Sequence, residues 1–405
     1  MFDLIESITK RLTTEWKLHK TGEKLTRSYS CRCGTAIFFR NTQCLSCTSQ
    51  LGFLPDSLSL AALDPGPEPD TIRAEGADRV YKYCGNRESP ALCNWLLEAE
   101  DPLSLCIACR LNRTIPKLDD ADNARYWGAI EVAKRRLVSQ LLALGLPVKS
   151  KVEEDKERGL MFDFLRSPAE GPAVMTGHAD GLITMNVEEA DNATREKIKH
   201  LLHEPYRTLL GHFRHEVGHY YWDRLVRDST WLEPFRQLFG DERASYAEAL
   251  RRHYEMGPPA DWPNAYISSY ATMHPWEDWA ETWAHYLHVV DSLATALSFG
   301  LEAADLETTI TPFTIEDLYA PDDPGATRFL SLLNSWVEMV MVLNEVARSM
   351  GEGDFYPFVM SRPVVAKLQF VHLIVFEAQS RPATETIAAT SSGTPETQIA
   401  PTAQV

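Results

Sequence analysis

The chain has 405 residues, which is too long for one average domain, so we expect two or three folded units. Its 40 Lys and Arg residues are outnumbered by 57 Asp and Glu residues, which leaves a formal charge of −17. This acidic balance disfavours nucleic acid and anionic membranes as partners.

The first predicted element is a short amphipathic helix at the N-terminus. Phe2, Ile5, Ile8, Leu12 and Trp16 recur at helical spacing, which favours docking on the rest of the protein. Charged residues interrupt this pattern, so the segment lacks the continuous apolar core of an export signal. No apolar run approaches the roughly 20 residues needed to cross a bilayer. We therefore expect a soluble, cytoplasmic protein without a membrane partner.

All eight cysteines lie between positions 31 and 109 and fall into two quartets. The first quartet has the spacing C-x-C, ten residues, C-x2-C, whereas the second is looser in its first half. Tetrahedral zinc requires short pairs of this kind, because each tight turn presents two thiolates to the metal. The members are Cys31, Cys33, Cys44 and Cys47 in the first quartet and Cys84, Cys93, Cys106 and Cys109 in the second.

Two other interpretations of the cysteines stay open. Disulfides are rare in the reducing compartment that we expect for a chain without an export signal. An iron centre uses the same thiolates, and spacing alone does not separate it from zinc. We predict one structural zinc in each quartet, and the metal would supply much of the folding free energy of this region.

Beyond the cysteines the pattern changes to long helical periodicities. A helix is predicted over 123–144, and it is followed by two β-rich runs at 174–176 and 182–187. The dipeptide Asp180-Gly181 between these runs predicts a hairpin. A peptide would pair along 182–187 if that strand were a sheet edge.

A longer predicted helix, 204–226, contains the motif His-Glu-Val-Gly-His. His215 and His219 are four residues apart, so they share one helix face and can ligate one zinc ion. Glu216 stands beside them, where it can take a proton from metal-bound water. This arrangement indicates a catalytic zinc site.

A catalytic zinc site normally has three protein ligands, so one more ligand must lie elsewhere. The metzincin continuation is excluded, because Trp222 and Leu225 stand where glycine and histidine would be required. Pro275 can open the next predicted helix, and Glu277 is a carboxylate near its start that can reach the metal. Glu281, one turn later, is placed to hydrogen-bond the ring nitrogen of a zinc-bound histidine.

Other residues in these two helices compete for the same roles. Asp278 and His274 are rival ligands, and so is His285 if the helix runs deeper. His212 is interpreted as a pocket or core histidine.

Tyr270 lies seven residues before Glu277, close enough in sequence to reach over the zinc. There its phenol could donate a hydrogen bond to a developing oxyanion. The alternative is a buried core tyrosine.

Longer motifs surround these residues: CRCGTAIFFRNTQCLSC, CNWL, GHADGLITMNVEEAD, EPYRTLLGHFRHEVGHYYWDRL, FGDERASYAEAL and HPWEDWAETWAHYLH. They span most of residues 29–300 and resemble a bacterial family of zinc-binding metallopeptidases with an N-terminal zinc ribbon. The segment YATMHPWEDWAE is similar to part of the anthrax lethal factor catalytic domain and of the Mlc titration factor group. Those gluzincin-like sites bind zinc through the first glutamate of ExxAE, which by resemblance falls on Glu277. Their transition-state tyrosine falls on Tyr270.

The region 313–376 looks helical and is expected to act as a scaffold. Its predicted apolar stripe consists of Trp336, Met339, Leu343 and Val346. From Arg381 onward, Thr, Ala, Ser and Pro dominate and predict a disordered tail.

The predicted fold class is α+β. A zincin-like, mainly helical metallopeptidase domain with a small sheet is expected over 118–376. Small β zinc-ribbon units precede it over 29–117. An amphipathic extension, 1–28, and a disordered tail, 377–405, complete the expected organisation.

The predicted function is zinc-dependent hydrolysis of peptide bonds. Zinc-activated water would attack, with Glu216 as the general base and Tyr270 as the oxyanion stabiliser. The expected cofactor is Zn2+, with one catalytic and two structural ions, and the expected substrate is a peptide or protein. The alternative is a zinc-ribbon binding or regulatory protein with a weakly active or inactive HExxH domain. Nucleic-acid binding by the ribbons is disfavoured by the acidic charge.

Overall fold

The structure is a computed structural model that describes residues 27–202, 207–301 and 310–380. The predicted N-terminal helix and the predicted tail from Arg381 lie outside the described residues. The chain divides into two compact units between residues 201 and 202. The predicted α+β class and the small β region around the cysteines are confirmed.

The N-terminal unit begins with short antiparallel strands. β1 (Tyr29–Ser30) pairs with β2 (Ala36–Ile37), and Cys31 and Cys33 lie in the turn between them. A five-stranded antiparallel meander follows, with the order β3-β4-β5-β6-β7, and its core includes Leu54, Leu63, Ile72, Tyr81 and Leu96. Its strands are β3 (Leu51–Leu54), β4 (Ser59–Pro65), β5 (Ile72–Ala74), β6 (Val80–Tyr83) and β7 (Leu96–Glu98).

Helix α1 (Ala121–Ala143) confirms the helix predicted in this region. It begins at this point because the Asp120 carboxylate accepts hydrogen bonds from the N–H groups of Asp122 and Asn123. Gly145, with φ +62°, ends it. Its buried face includes Trp127, Ile130, Leu137 and Leu141.

A mixed four-stranded sheet has the order β10-β11-β9-β8. Its strands are β8 (Asn112–Thr114), β9 (Met161–Leu165), β10 (Gly177–Ala179) and β11 (Leu182–Asn186), and helix α2 (Asn192–Leu202) follows. Asp180 and Gly181 have φ values of +47° and +74°, which a tight hairpin turn requires, so the predicted hairpin is confirmed. Its first strand is 177–179 and not 174–176. β11 pairs with strands on both sides, so it has no free edge along which a peptide could pair, and that expectation was wrong.

The C-terminal unit is helical. Its helices are α3 (Leu209–Leu225), α4 (Leu232–Phe239), α5 (Tyr246–Met256), α6 (Pro275–Ser298), α7 (Ala326–Ser349) and α8 (Arg362–Ser380). α3 begins later than the predicted position 204, because the Thr208 hydroxyl accepts a hydrogen bond from the N–H of Gly211 and caps the helix. The predicted start at Pro275 is confirmed. The scaffold region is two helices with a break at 350–361.

The packing of α3 against α6 organises this unit. A Cβ atom built on Gly218 would lie 3.0 Å from the Cα atom of Ala280, so a larger residue would require one of the helices to shift. The Trp279 indole N–H donates a hydrogen bond to the carbonyl oxygen of Gly218 at 2.8 Å. This crossing brings the two histidines of α3 to the first turns of α6.

Helix α7 is the one helix in the described ranges that is long and apolar enough to span a membrane, a result that differs from the sequence expectation. Only 33% of its apolar window is buried. The signal is weak, because core helices of soluble proteins pass the same test. Trp336 and Met339 are buried as predicted. Val346 is 54% exposed, and it lies beyond Val340, the last buried residue of α7.

Candidate metal centres and active site

Two histidines of α3 and one glutamate of α6 converge in the C-terminal unit. The candidate ligand atoms of His215, His219 and Glu277 lie within 4.8 Å of one another. Glu277 Oε2 is 2.9 Å from His215 Nε2 and 3.4 Å from His219 Nε2. All three side chains are buried. The structure therefore brings together the three ligands that the sequence predicts.

The electrostatics of this cluster favour a bound cation. Burial lowers the pKa of His215, but the adjacent carboxylates of Glu277 and Glu281 outweigh it and raise that pKa well above its usual value. Burial would raise the pKa of Glu277, yet the neighbouring histidines hold it below its usual value. Glu277 Oε2 is buried and makes no hydrogen bond of normal geometry with the described residues. Two imidazole nitrogens and one carboxylate oxygen fit a catalytic zinc site.

Glu281 supports His215 from the side opposite the cluster. The Nδ1 atom of His215 lies 2.6 Å from Glu281 Oε1, and Ser268 Oγ donates to Glu281 Oε2 at 2.6 Å. Ser268 Oγ in turn accepts the N–H of Ala271. Because Nδ1 faces the Glu281 carboxylate, Nε2 is the nitrogen of His215 that would ligate a metal.

Glu216 and Tyr270 lie beside this cluster. Glu216 is 3% exposed and follows His215 directly on α3. The ring centroid of Tyr270 is 6.0 Å from that of His215. The Tyr270 hydroxyl is buried and makes no hydrogen bond of ordinary geometry with the described residues. Burial raises the pKa of Tyr270 well above its usual value, and the nearby phenol of Tyr246 contributes to this rise.

Asp278 and His274, two rival ligands, have partners outside the cluster. Asp278 Oδ2 is 2.6 Å from Lys367 Nζ, and both groups are buried. His274 caps α6, where its Nδ1 accepts the N–H of Trp276. Its Nε2 lies 3.1 Å from the carbonyl oxygen of Ala244, to which it can donate.

The two remaining histidines also lie outside the ligand group. His285 Nδ1 is 2.6 Å from the hydroxyl oxygen of Tyr356, two turns farther along α6 than Glu277. His212 is partly buried on α3. Neither belongs to the group whose ligand atoms converge.

Sequence reasoning missed three residues of the site. Gly218 allows the helix crossing, Tyr246 Oη donates to Glu277 Oε1 at 3.0 Å, and the Trp276 ring lies 4.5 Å from that of His219. The signal for Tyr246 was the motif FGDERASYAEAL, to which no role could be given. Its contact runs between separate helices, so no local spacing reveals it.

The first cysteine quartet forms a partly exposed cluster. The Sγ atoms of Cys31 and Cys47 are 3.5 Å apart, and those of Cys33 and Cys44 are 3.7 Å apart. Hydrogen bonding to Thr35 lowers the pKa of the exposed Cys33 thiol to about 6, which favours its thiolate form. Thiolates are the form that binds zinc.

The second quartet is fully buried and lies against α1. The Sγ atom of Cys93 is 3.8 Å from that of Cys106 and 3.7 Å from that of Cys109. The Glu131 carboxylate is 3.9 Å from Cys109 Sγ and 2.6 Å from the buried Lys134 ammonium. None of the eight cysteines, all in the described part of the chain, forms a disulfide.

Comparison with known proteins relates these clusters to a family. A family model described as "Putative zinc-binding metallo-peptidase" matches residues 123–374, more than half of the sequence. The chain belongs to this family. A second family model, described as a zinc-ribbon domain, matches residues 28–120 of the same chain. Both cysteine quartets and the histidine–glutamate cluster lie within the matched stretches, which supports zinc as the metal.

Mycobacterial relatives share most of the length of this family member. Uncharacterized protein Rv2568c of Mycobacterium tuberculosis is 41% identical over 355 residues, covering 87% of this chain and 96% of its own. Uncharacterized protein Mb2598c of Mycobacterium bovis matches with the same identity and coverage. No solved structure matches the chain.

Proposed function

We propose that this chain is a zinc-dependent peptidase whose catalytic metal is held by His215, His219 and Glu277. The observation that carries the proposal is the buried convergence of the two Nε2 atoms on Glu277 Oε2. Membership of the metallopeptidase family supplies the reaction class. The two cysteine quartets would each hold one structural zinc ion.

The side chains around the cluster supply the remaining chemistry. Bound zinc would lower the pKa of water and polarise the scissile carbonyl. Glu216 takes a proton from the attacking water and passes it to the leaving amine. The buried hydroxyl of Tyr270 donates a hydrogen bond to the carbonyl oxygen as that oxygen gains negative charge. Glu281 holds the tautomer of His215.

The proposed substrate is a peptide or protein. An acidic chain with a charge of −17 repels nucleic acid, and the family description concerns peptidases. We propose that the protein acts in the cytoplasm without a membrane partner, as its sequence leads us to expect.

Elemental analysis of zinc per chain tests this proposal. After removal of loosely held metal, we expect about three zinc ions in the wild type and two in His219→Ala, because the three clusters share no residue. Two or fewer ions in the wild type, with the same number in His219→Ala, would contradict a histidine-dependent site. The binding or regulatory function would then be the better account.

A further inference from the structure

The motif FGDERASYAEAL, residues 239–250, has no role in the mechanism above. In the structure it runs from the last residue of α4 through a loop into the first half of α5. We call it the 239–250 segment. It contacts the first turn of α6, the turn that carries Glu277.

Two contacts seat the 239–250 segment on the start of α6. Gly240 has φ +107°, and a Cβ atom built on it would lie 3.1 Å from Pro275 Cγ, so the backbone passes directly over the proline ring. The carbonyl oxygen of Ala244 lies 3.1 Å from His274 Nε2, which can donate to it. The loop therefore meets both the capping residue and the first residue of α6.

A third contact reaches the candidate ligand itself. Tyr246 Oη donates a hydrogen bond of 3.0 Å to Glu277 Oε1, while Glu277 Oε2 faces the imidazoles of His215 and His219. Tyr246 is the first residue of α5, and this start is fixed because Ser245 Oγ accepts the N–H of Glu248. The two oxygens of the Glu277 carboxylate therefore have different partners, Tyr246 for Oε1 and the two imidazoles for Oε2.

We propose that Tyr246 is a positioning residue of the metal site. Its phenol holds Glu277 Oε1, so that Oε2 is the oxygen presented to the metal beside His215 and His219. This inference rests on the proposed metal site but not on peptidase turnover. Without the phenol, the carboxylate can rotate away from the two imidazoles, and the ordering of Glu277 must then be supplied by metal binding.

A tyrosine at this position could instead have one other role. It can serve only to pack α5, since its ring lies 5.4 Å from that of His274. In that case, removal of the hydroxyl would change stability and leave metal affinity intact. A positioning role requires the opposite pattern, because the hydroxyl acts on a ligand.

The test is the affinity of full-length Tyr246→Phe for zinc, measured by competition with a chromophoric chelator. Phenylalanine keeps the ring against His274 and removes the hydroxyl that donates to Glu277 and lies near the Tyr270 hydroxyl. We expect zinc at the histidine-dependent site to bind about 10- to 100-fold more weakly, as is typical when a hydrogen-bond partner of a ligand is lost. That site is identified as the ion absent from His219→Ala, and the cysteine-bound ions should be unchanged.

Tyr286→Phe is the matched control. It lies on the same helix as Glu277 and loses a comparable hydrogen bond, to His372 Nδ1 at 3.0 Å, but it contacts no candidate ligand. Its zinc affinity should equal that of the wild type. Equal affinity in Tyr246→Phe would overturn the inference, and so would equal losses in both variants. If the wild type itself holds no His219-dependent zinc, the proposed function fails instead.

Discussion

Glu216 and Glu281 flank His215 in sequence or in space, but the structure gives them different surroundings. Glu281 is engaged on both oxygens, by His215 and by Ser268. A carboxylate held in this way orients an imidazole and is poorly suited to move protons. Glu216, buried beside the cluster, is therefore the group that we assign to proton transfer.

Glu216→Gln should separate catalysis from metal binding. The amide keeps the size of the side chain but cannot accept the proton, so we expect cleavage of a peptide library to fall at least about 100-fold. Zinc per chain should stay at the wild-type value. Retained cleavage, or loss of the histidine-dependent zinc, would show that Glu216 has another role.

The buried imidazole of His285 should make the free energy of unfolding depend on pH. Burial lowers its pKa to about 4, against about 6.5 in an unfolded chain, so between these values only the unfolded state is protonated. Stability should therefore fall as the pH drops from about 6.5 to about 4, by up to roughly 3 kcal/mol from this group. His285→Gln should lose less stability over that window when unfolding by urea is followed at several pH values.

The control for this prediction is Tyr356→Phe, which removes the hydroxyl next to His285 but keeps the imidazole. It should retain the pH dependence of the wild type, and the effects of acid on the metal sites are common to all three proteins. Parallel curves for the wild type and His285→Gln would contradict the assignment.

The convergence of the candidate ligands could be predicted from sequence because each signal is local. Residues four apart share a helix face, and Pro275 marks a helix start just before Glu277. Tyr246 could not be predicted, since its partner is 31 residues away and belongs to another helix. The functional roles of Glu216, Tyr270, Glu281 and the ligands stay predictions until they are measured.

At the scale of elements, the site depends on how closely α3 approaches α6. Gly218→Ala would place a methyl group 3.0 Å from the Cα atom of Ala280, and backbone cannot yield as a side chain can. Overpacking of this kind costs about 1–3 kcal/mol, which exceeds the gain of roughly 1 kcal/mol from alanine in a helix. We expect a lower free energy of unfolding and weaker zinc binding, because His219 moves with its neighbour.

Gly353→Ala is the control for the helix crossing. A Cβ atom built on Gly353 meets no other atom within 4 Å, so both stability and zinc affinity should be unchanged. Denaturant unfolding and chelator competition measure the two quantities. A Gly218→Ala protein as stable and as tightly metallated as the wild type would show that the helices can separate without cost.

The second cysteine quartet should be coupled to α1, and the first should not. Cys109 is buried against the ion pair of Glu131 and Lys134 on that helix, whereas Cys33 is exposed. Cys109→Ser should therefore reduce the hydrogen-exchange protection of the α1 amides, since a buried charge network loses a neighbour. Cys33→Ser should lose zinc and leave α1 protected. Equal protection in both variants would contradict this coupling.

Some elements were predictable and others were not, for reasons of context. The hairpin at Asp180-Gly181 and the helix at Pro275 follow from backbone preferences that act locally. The position of β11 inside its sheet depends on β9, which comes from a distant part of the sequence. The exposure of Val346 depends likewise on where neighbouring helices end, and helical periodicity carries no information about that.

At the scale of the whole molecule, three candidate sites with different numbers of protein ligands predict a definite order of metal loss. The histidine–glutamate cluster offers three candidate ligands, whereas each quartet could close around a metal with four thiolates. Mild chelation should remove one zinc ion and abolish cleavage while circular dichroism stays constant. Loss of secondary structure together with the first ion would contradict this order.

The division of the chain into compact units follows contacts and not composition. Composition led us to divide it near residue 118, where the cysteines end. The compact units divide between residues 201 and 202. Arg135 of α1 donates to the carbonyl oxygen of Ala91, and this hydrogen bond ties the helix to the cysteine region. Composition records what each segment is made of, whereas a compact unit is defined by which segments touch.

The hydrogen bond between Tyr246 and Glu277 should also link the evolution of two motifs within the family. It joins two motifs that are separate in the sequence, so a substitution in one motif changes the selection acting on the other. Relatives that keep the glutamate should keep a hydroxyl or another donor opposite it. Relatives that have lost the donor should also carry a substitution at the glutamate. We expect these relatives to have lost the metal.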